Sequence, residues 1–123
     1  MTEAAVAGAK RLAGGFEHSI VLPEDGTALF LGNAQGQAPP GGVQGDIAQV
    51  AASTGLYGPY SLLSDATAKR LVCLGDNGFG KAPPQGVDED FDDISAGGNH
   101  SGGVTKDGRL VLFGWDERGQ VTM

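Results

Sequence analysis

Ala96-Gly97-Gly98-Asn99-His100-Ser101, continued after Gly102-Gly103 by Val104-Thr105-Lys106-Asp107-Gly108-Arg109-Leu110-Val111-Leu112-Phe113-Gly114, reads as a small-residue turn, a His-Ser pair, a strand, an Asp-Gly turn and a second strand closed by Gly. Asp-Gly between apolar runs is a strong short-range hairpin signal, because the Gly accepts the left-handed backbone that tight turns demand. The same signals stand near the N-terminus. There Ala13-Gly14-Gly15-Phe16-Glu17-His18-Ser19 leads into Leu22-Pro23-Glu24-Asp25-Gly26-Thr27-Ala28-Leu29-Phe30-Leu31-Gly32. A degenerate middle copy runs Tyr60-Ser61-Leu62-Leu63-Ser64-Asp65, a short polar turn, then Leu71-Val72-Cys73-Leu74-Gly75. In it Tyr60 stands where the others have His, and Ala66 where Gly is expected.

Each closing glycine, Gly32, Gly75 and Gly114, opens a related exit turn: Asn33-Ala34-Gln35-Gly36-Gln37, Asp76-Asn77-Gly78-Phe79-Gly80-Lys81 and Trp115-Asp116-Glu117-Arg118-Gly119-Gln120. Ala38-Pro39-Pro40 and Ala82-Pro83-Pro84 follow the first two turns, then Val43 or Val87, and later Ile47 or Ile94. The third copy stops before that segment. A period of about 41 residues with several short strands points to propeller blades or a related array. The expected fold is therefore all-β, a partial β-propeller of about three blades with a short N-terminal helix. The helical segment is placed over residues 1 to 12, because residues 2 to 12 are rich in Ala. The repeat domain is placed over residues 13 to 123, with copies at about 13 to 50, 51 to 94 and 95 to 123.

Composition agrees with a turn-rich single domain. The 123 residues include 22 Gly and 6 Pro, well above the roughly 12 % that average usage gives. Leu, Ile, Val and Phe nonetheless stay above the level at which a charged chain fails to collapse. A net charge of −7 has the wrong sign for neutralising phosphates, which argues against nucleic-acid binding. Cys73, the single cysteine, sits between apolar neighbours and reads as a small buried thiol without redox or zinc chemistry. Neither a spanning apolar run nor a secretory signal is visible. The expectation is a soluble intracellular chain, with the cytoplasm and an organelle equally compatible; attachment at the periphery of a membrane complex stays open.

Ala-Gly-Gly, His-Ser, Asp-Gly, an apolar strand ending in Gly and a turn closing on Gly-Gln together resemble the repeat of the regulator of chromosome condensation family. The resemblance runs over about residues 12 to 123, with the first and third copies close to the pattern. Lys81 departs from it where Gln37 and Gln120 stand, and Ala-Pro-Pro replaces the Leu-Gly common in the family. The resemblance implies a β-propeller, closed with seven blades in the family. About three blades leave open edges and faces that must be covered by another chain, by a second copy or by more of the same polypeptide.

Three motifs suggest chemistry and fail its requirements. Gly75-Asp76-Asn77-Gly78-Phe79-Gly80-Lys81 has the spacing of a phosphate-binding loop, but Ala82 replaces the magnesium-binding hydroxyl and Pro83-Pro84 block the following helix. Lys81 is then expected in an exposed loop. His18-Ser19 and His100-Ser101 are adjacent strand residues that point to opposite faces, so neither pair forms a nucleophile and base. Each His is expected to bond a backbone group of its own Gly-rich turn, as a structural repeat residue alongside Gly32, Gly75 and Gly114. Asp88-Glu89-Asp90-Phe91-Asp92-Asp93 starts like a calcium loop but places Asp93 where Gly is needed and Asn99 where a bidentate Glu is needed. That run is either a solvated loop or a docking patch for a basic partner. Trp115, Phe79, Phe16, Tyr57 and Tyr60 lie in or near loops, as interface anchors or as covers between blades.

The function read from these residues is a non-enzymatic protein–protein interaction module, an accessory or scaffold subunit with no cofactor and no metal. Partner contact is assigned to Trp115 and to Asp88, Glu89, Asp90, Asp92 and Asp93, and the partner is another protein or a second copy covering the open blade ends. The family resemblance alone implies an alternative, regulation of a small GTPase by guanine-nucleotide exchange.

Overall fold

In a computed structural model, the described residues are 8–15, 18–32, 42–53, 60–75, 77, 80–83 and 85–114. They form three antiparallel three-stranded sheets, each built from consecutive strands. The first holds β1 (Ala9–Gly14), β2 (His18–Pro23) and β3 (Leu29–Gly32). The second holds β4 (Ile47–Ala52), β5 (Tyr60–Asp65) and β6 (Arg70–Gly75), and the third β7 (Phe91–Ala96), β8 (His100–Thr105) and β9 (Leu110–Gly114). Three stacked sheets of this kind are three blades of a β-propeller, as the repeat predicted.

The register repeats as closely as the motifs do. His18 pairs with Gly32, Tyr60 with Gly75 and His100 with Gly114, so Tyr60 is the structural counterpart of the two histidines. The three glycines all have positive φ, at 90°, 104° and 112°, a conformation that side chains rarely adopt. Each first strand carries a register shift at the same place, between Ala9 and Arg11, Ile47 and Gln49, and Phe91 and Asp93. That extra residue changes one sequence equivalence: Ile47 corresponds to Phe91, and Val50 to Ile94.

The Asp-Gly turns form as expected, with Gly26 N–H bonding Pro23 O and Gly108 N–H bonding Thr105 O. Without a Gly, the middle turn is built differently. Lys69 takes the left-handed conformation at φ 56°, and the Asp65 carboxylate accepts the N–H groups of Thr67 and Ala68, both at 3.0 Å. Val43 and Val87 each make a two-bond bridge outside the named strands, to Ala28 and Leu71. These bridges explain why Val recurs after the Pro-Pro segment.

The helix expected over residues 1 to 12 is not what residues 9 to 12 form: they belong to β1, while residues 1 to 7 lie outside the described set. Gly8, at φ 66°, accepts the Glu24 N–H at 2.9 Å and starts a hairpin, and β2 supplies partners for the backbone of β1. Tertiary pairing outweighs the helix preference of a few alanines. The sequence copies 13 to 50, 51 to 94 and 95 to 123 are also out of phase with the sheets. Their boundaries fall inside β4 and β7, because each sheet begins one strand before its His or Tyr.

The core is two layers between three sheets. Ile20, Leu22, Ala28, Ile47, Ala52 and Leu63 fill the junction of blades one and two. Tyr60, Leu62, Leu71, Cys73, Phe91 and Ile94 fill that of blades two and three. Among the described residues no helix is long and apolar enough to cross a membrane.

Candidate interaction surface

Cross-strand neighbours share a sheet face, so the register assigns every blade a front and a back. The front bears the first residue of the middle strand, His18, Tyr60 or His100. The back bears the serine after it, Ser19, Ser61 or Ser101. At both internal junctions the front of one blade meets the back of the next with one piece of polar chemistry. His18 Nε2 lies 3.2 Å from the Ser61 hydroxyl. Tyr60 OH lies 3.0 Å from the Ser101 hydroxyl and reaches the carbonyls of Gly97 at 2.9 Å and His100 at 2.8 Å. Ser101 also donates to Lys81 O at 2.8 Å.

His18 therefore does not bond its own turn, as expected from sequence, but reaches the following blade. Its ring lies over Gly15, where a Cβ would stand 2.6 Å from Cε1; His100 lies likewise over Gly97. The glycine before the histidine is a seat for the imidazole. Tyr60 has Ser53 at the corresponding position, and the Ser53 hydroxyl accepts the Tyr60 N–H at 2.9 Å. His18 is buried, and its Nδ1 has no hydrogen-bond partner among the described residues. A proton on Nε2 bonds Ser61 and leaves only a bare lone pair on Nδ1, the cheaper way to bury this ring. Burial holds its pKa below 6.5, so the ring is neutral at pH 7.

Lys81 is not an exposed loop residue. It is 1 % exposed, with Nζ 2.8 Å from Asn99 Oδ1 and 5.2 Å from the centre of the Tyr60 ring. The turn that resembled a phosphate loop thus sends its lysine into the junction of blades two and three. Sequence composition missed this because Lys81 is buried against Asn99 of the next blade and the ring of Tyr60 on β5, both distant in the chain. Cys73 is buried as expected, and desolvation pushes its thiol up to about 11.

The acidic run is divided among different tasks. Asp88 pairs with Arg70 at 3.1 Å, and Glu89 receives Arg109 through two bonds of 3.1 and 2.6 Å. Arg109 also bonds Asp107, and it holds the Glu89 carboxyl below its usual range. The Asp90 carbonyl accepts the Lys106 N–H, Phe91 is buried in the core, and Asp92 and Asp93 are exposed on β7. Tyr60 is a cover between blades; Trp115, Phe79, Phe16 and Tyr57 lie outside the described residues. No group of three or more His, Cys, Asp and Glu residues suited to a metal occurs among the described residues.

Among the described residues four large apolar side chains are exposed: Leu12 at 71 %, Leu31 at 46 %, Val104 at 43 % and Leu110 at 49 %. All four lie on the two terminal faces. Leu12 pairs with Val21 and Leu31 with Ser19, which puts them on the back of blade one. Val104 and Leu110 pair with each other on the front of blade three, beside His100.

Residues 91–120 match the family model described as the regulator of chromosome condensation (RCC1) repeat. No match was found among curated protein sequences. Solved structures similar to the chain include the ectodomain of the receptor kinase CR4 from Physcomitrella patens, at 20 % identity and TM-score 0.67 over 90 % of this chain and 31 % of that one. Human WBSCR16 is similar at 17 % identity and TM-score 0.68 over 94 % and 35 %. The structure of Kap60 bound to yeast RCC1 (Prp20) matches at 17 % identity and TM-score 0.61 over 91 % and 33 %. The chain spans about a third of the length of these chains. At such identities the likeness fixes the fold, a run of β-propeller blades, and the match over residues 91–120 places the third copy's repeat in the family read from the sequence.

Proposed function

We propose that the chain is a non-enzymatic protein–protein interaction module, an accessory or scaffold subunit that docks through its terminal blade faces. One observation carries this reading. Among the described residues, the large apolar side chains that remain exposed are gathered on the two faces against which no described blade packs, whereas the equivalent positions inside the stack are packed. Exposed Leu or Val is ordinary when scattered; gathered on one face it marks a contact surface. Covering such a face at the ordinary scale of a stable interface buries about 800 Å² on each partner. The structure of Kap60 bound to yeast RCC1 (Prp20) is an instance of a similar fold in complex with another protein. In this reading Asp92 and Asp93, exposed on β7, belong to the contact; Trp115, assigned to it from the sequence, lies outside the described residues.

Native mass measurement of the complex purified from its source tests this reading. A mass above that of the single chain supports it, and a lone chain in every preparation overturns it.

A further inference from the structure

Blades one and two each seat a returning segment on the edge of their last strand, and they do so in the same way. Val43 exchanges two backbone bonds with Ala28, of 3.0 and 2.9 Å, and Val87 exchanges two with Leu71, of 2.8 and 3.1 Å. The residue before each Val is a Gly in the left-handed region, Gly42 at φ 80° and Gly86 at φ 78°. A Cβ at either would run into the carbonyl oxygen of the edge residue, Ala28 or Leu71, so Gly is required there. The residue after each Val also has a fixed partner, the side chain just ahead of the edge residue. Thr27 donates to Gln44 at 3.2 Å; Arg70 pairs with Asp88 at 3.1 Å and bonds the Gln85 carbonyl. Both segments read Pro-Pro, one residue, Gly, Val and an acceptor side chain, from Pro39 to Gln44 and from Pro83 to Asp88.

Blade three repeats the receiving half of this arrangement. Leu110 stands before Gly114 as Ala28 stands before Gly32 and Leu71 before Gly75, and Arg109 precedes it as Arg70 precedes Leu71. The Arg109 carbonyl faces β8 and accepts the Thr105 N–H at 2.8 Å. Bonding alternates sides along an antiparallel strand, so Leu110 turns its N–H and carbonyl outward, as Ala28 and Leu71 do. Among the described residues nothing pairs with that edge of β9. Ala28 and Leu71 are fully buried, whereas Leu110 is half exposed. Arg109 bonds Glu89 and Asp107, and each Nη carries a second N–H able to meet a further acceptor. Among the 123 residues the pattern Pro-Pro-x-Gly-Val occurs at 39–43 and 83–87, and both Val residues are already seated, so a second copy has none to offer.

We propose that the edge of β9 at Leu110 is a strand-addition site for an extended peptide partner of the pattern Pro-Pro-x-Gly-Val followed by Asp or Glu. The partner's Val exchanges two backbone bonds with Leu110 and covers its side chain, its Gly passes over the Leu110 carbonyl, and its carboxylate meets Arg109. Main-chain bonds supply the attraction; the Gly and the acid supply the selection. The site is the edge of the sheet, distinct from the terminal faces, and it stands whichever way those faces are covered.

The peptide Ala-Pro-Pro-Gln-Gly-Val-Asp, the sequence of residues 82–88, tests it by titration into the isotopically labelled full chain, followed by amide NMR. The Leu110 amide shifts saturably, and its hydrogen exchange slows at least about tenfold. Peptides carrying Gly86→Ala or N-methylated Val87 bind at least about tenfold more weakly. Arg109→Gln weakens the Asp peptide by a similar factor and changes little for a peptide ending in Gln. Absence of a Leu110 response at about millimolar peptide, equal binding of the Ala or N-methyl peptide, or a response at Leu71 or Ala28 in place of Leu110 overturns the site. A Leu110 amide already protected in the chain alone overturns it too, because the edge is then covered from within. None of these outcomes touches the association expected of the terminal faces.

Discussion

Replacing Tyr60 by Phe removes one oxygen from the junction of blades two and three and keeps the ring that packs in its core. The phenol proton is shared between the carbonyls of Gly97 and His100, and the oxygen lies within bonding distance of the Ser101 hydroxyl. After substitution the His100 carbonyl still accepts the Gly97 N–H at 2.9 Å, and Ser101 still donates to Lys81 O. The Gly97 carbonyl loses its side-chain donor. The loss is one hydrogen bond plus the desolvation cost of one carbonyl, about 2 kcal/mol in all. In urea, with a denaturant slope near 2 kcal/mol per M for a chain of this size, the midpoint falls by about 1 M. Combined with Ser101→Ala, the double variant loses less than the sum of the two single losses, because the groups act on each other. A midpoint shift below about 0.25 M, or strict additivity with Ser101→Ala, would refute the claim that this hydroxyl ties the two blades together.

Stability should fall as pH drops below about 6.5, because the unfolded chain binds a proton at His18 that the buried neutral ring refuses; stability is complete above that value. Urea midpoints taken from about pH 7.5 to about pH 5.5 should show the fall, and His18→Gln should flatten it. Glu89 and Asp107, held below their usual range by Arg109 and by Thr105 with Arg109, lose their bonds only at lower pH. Gly103→Ala should cost about 2 kcal/mol, since a Cβ there meets the Asp93 carbonyl and stands 2.7 Å from Phe91 Cδ1. Gly14→Ala, with open space around its Cβ, should change the midpoint little. Titration of ATP or GTP with magnesium should give no micromolar binding at residues 75 to 81, and Lys81→Ala should instead lower stability by about 2 kcal/mol by leaving Asn99 without its donor.

The repeat was legible because its signals act locally. Asp-Gly turns, closing glycines and the His or Tyr before each Ser fix backbone conformation within a few residues, and they place Tyr60 opposite Gly75 as the sequence comparison required. What escaped notice depends on neighbours distant in the chain. Lys81 is buried by Asn99 and Tyr60, and β1 is a strand because β2 pairs with it. The step from Ile47 to Phe91 turns on a bulge that an alignment of apolar residues passes over. The His18 to Ser61 contact left a trace that could have been read. Ser follows the variable His or Tyr in all three copies, which suits a residue whose partner sits on another blade.

Sedimentation velocity of the isolated 12.5 kDa chain at low micromolar concentration, with urea unfolding of the same sample, tests most directly whether the terminal faces are contact surfaces. The predicted result is concentration-dependent association, or a monomer that unfolds at low urea because Leu12, Leu31, Val104 and Leu110 are uncovered. A strictly monomeric chain that unfolds cooperatively with the stability of an ordinary domain would contradict it.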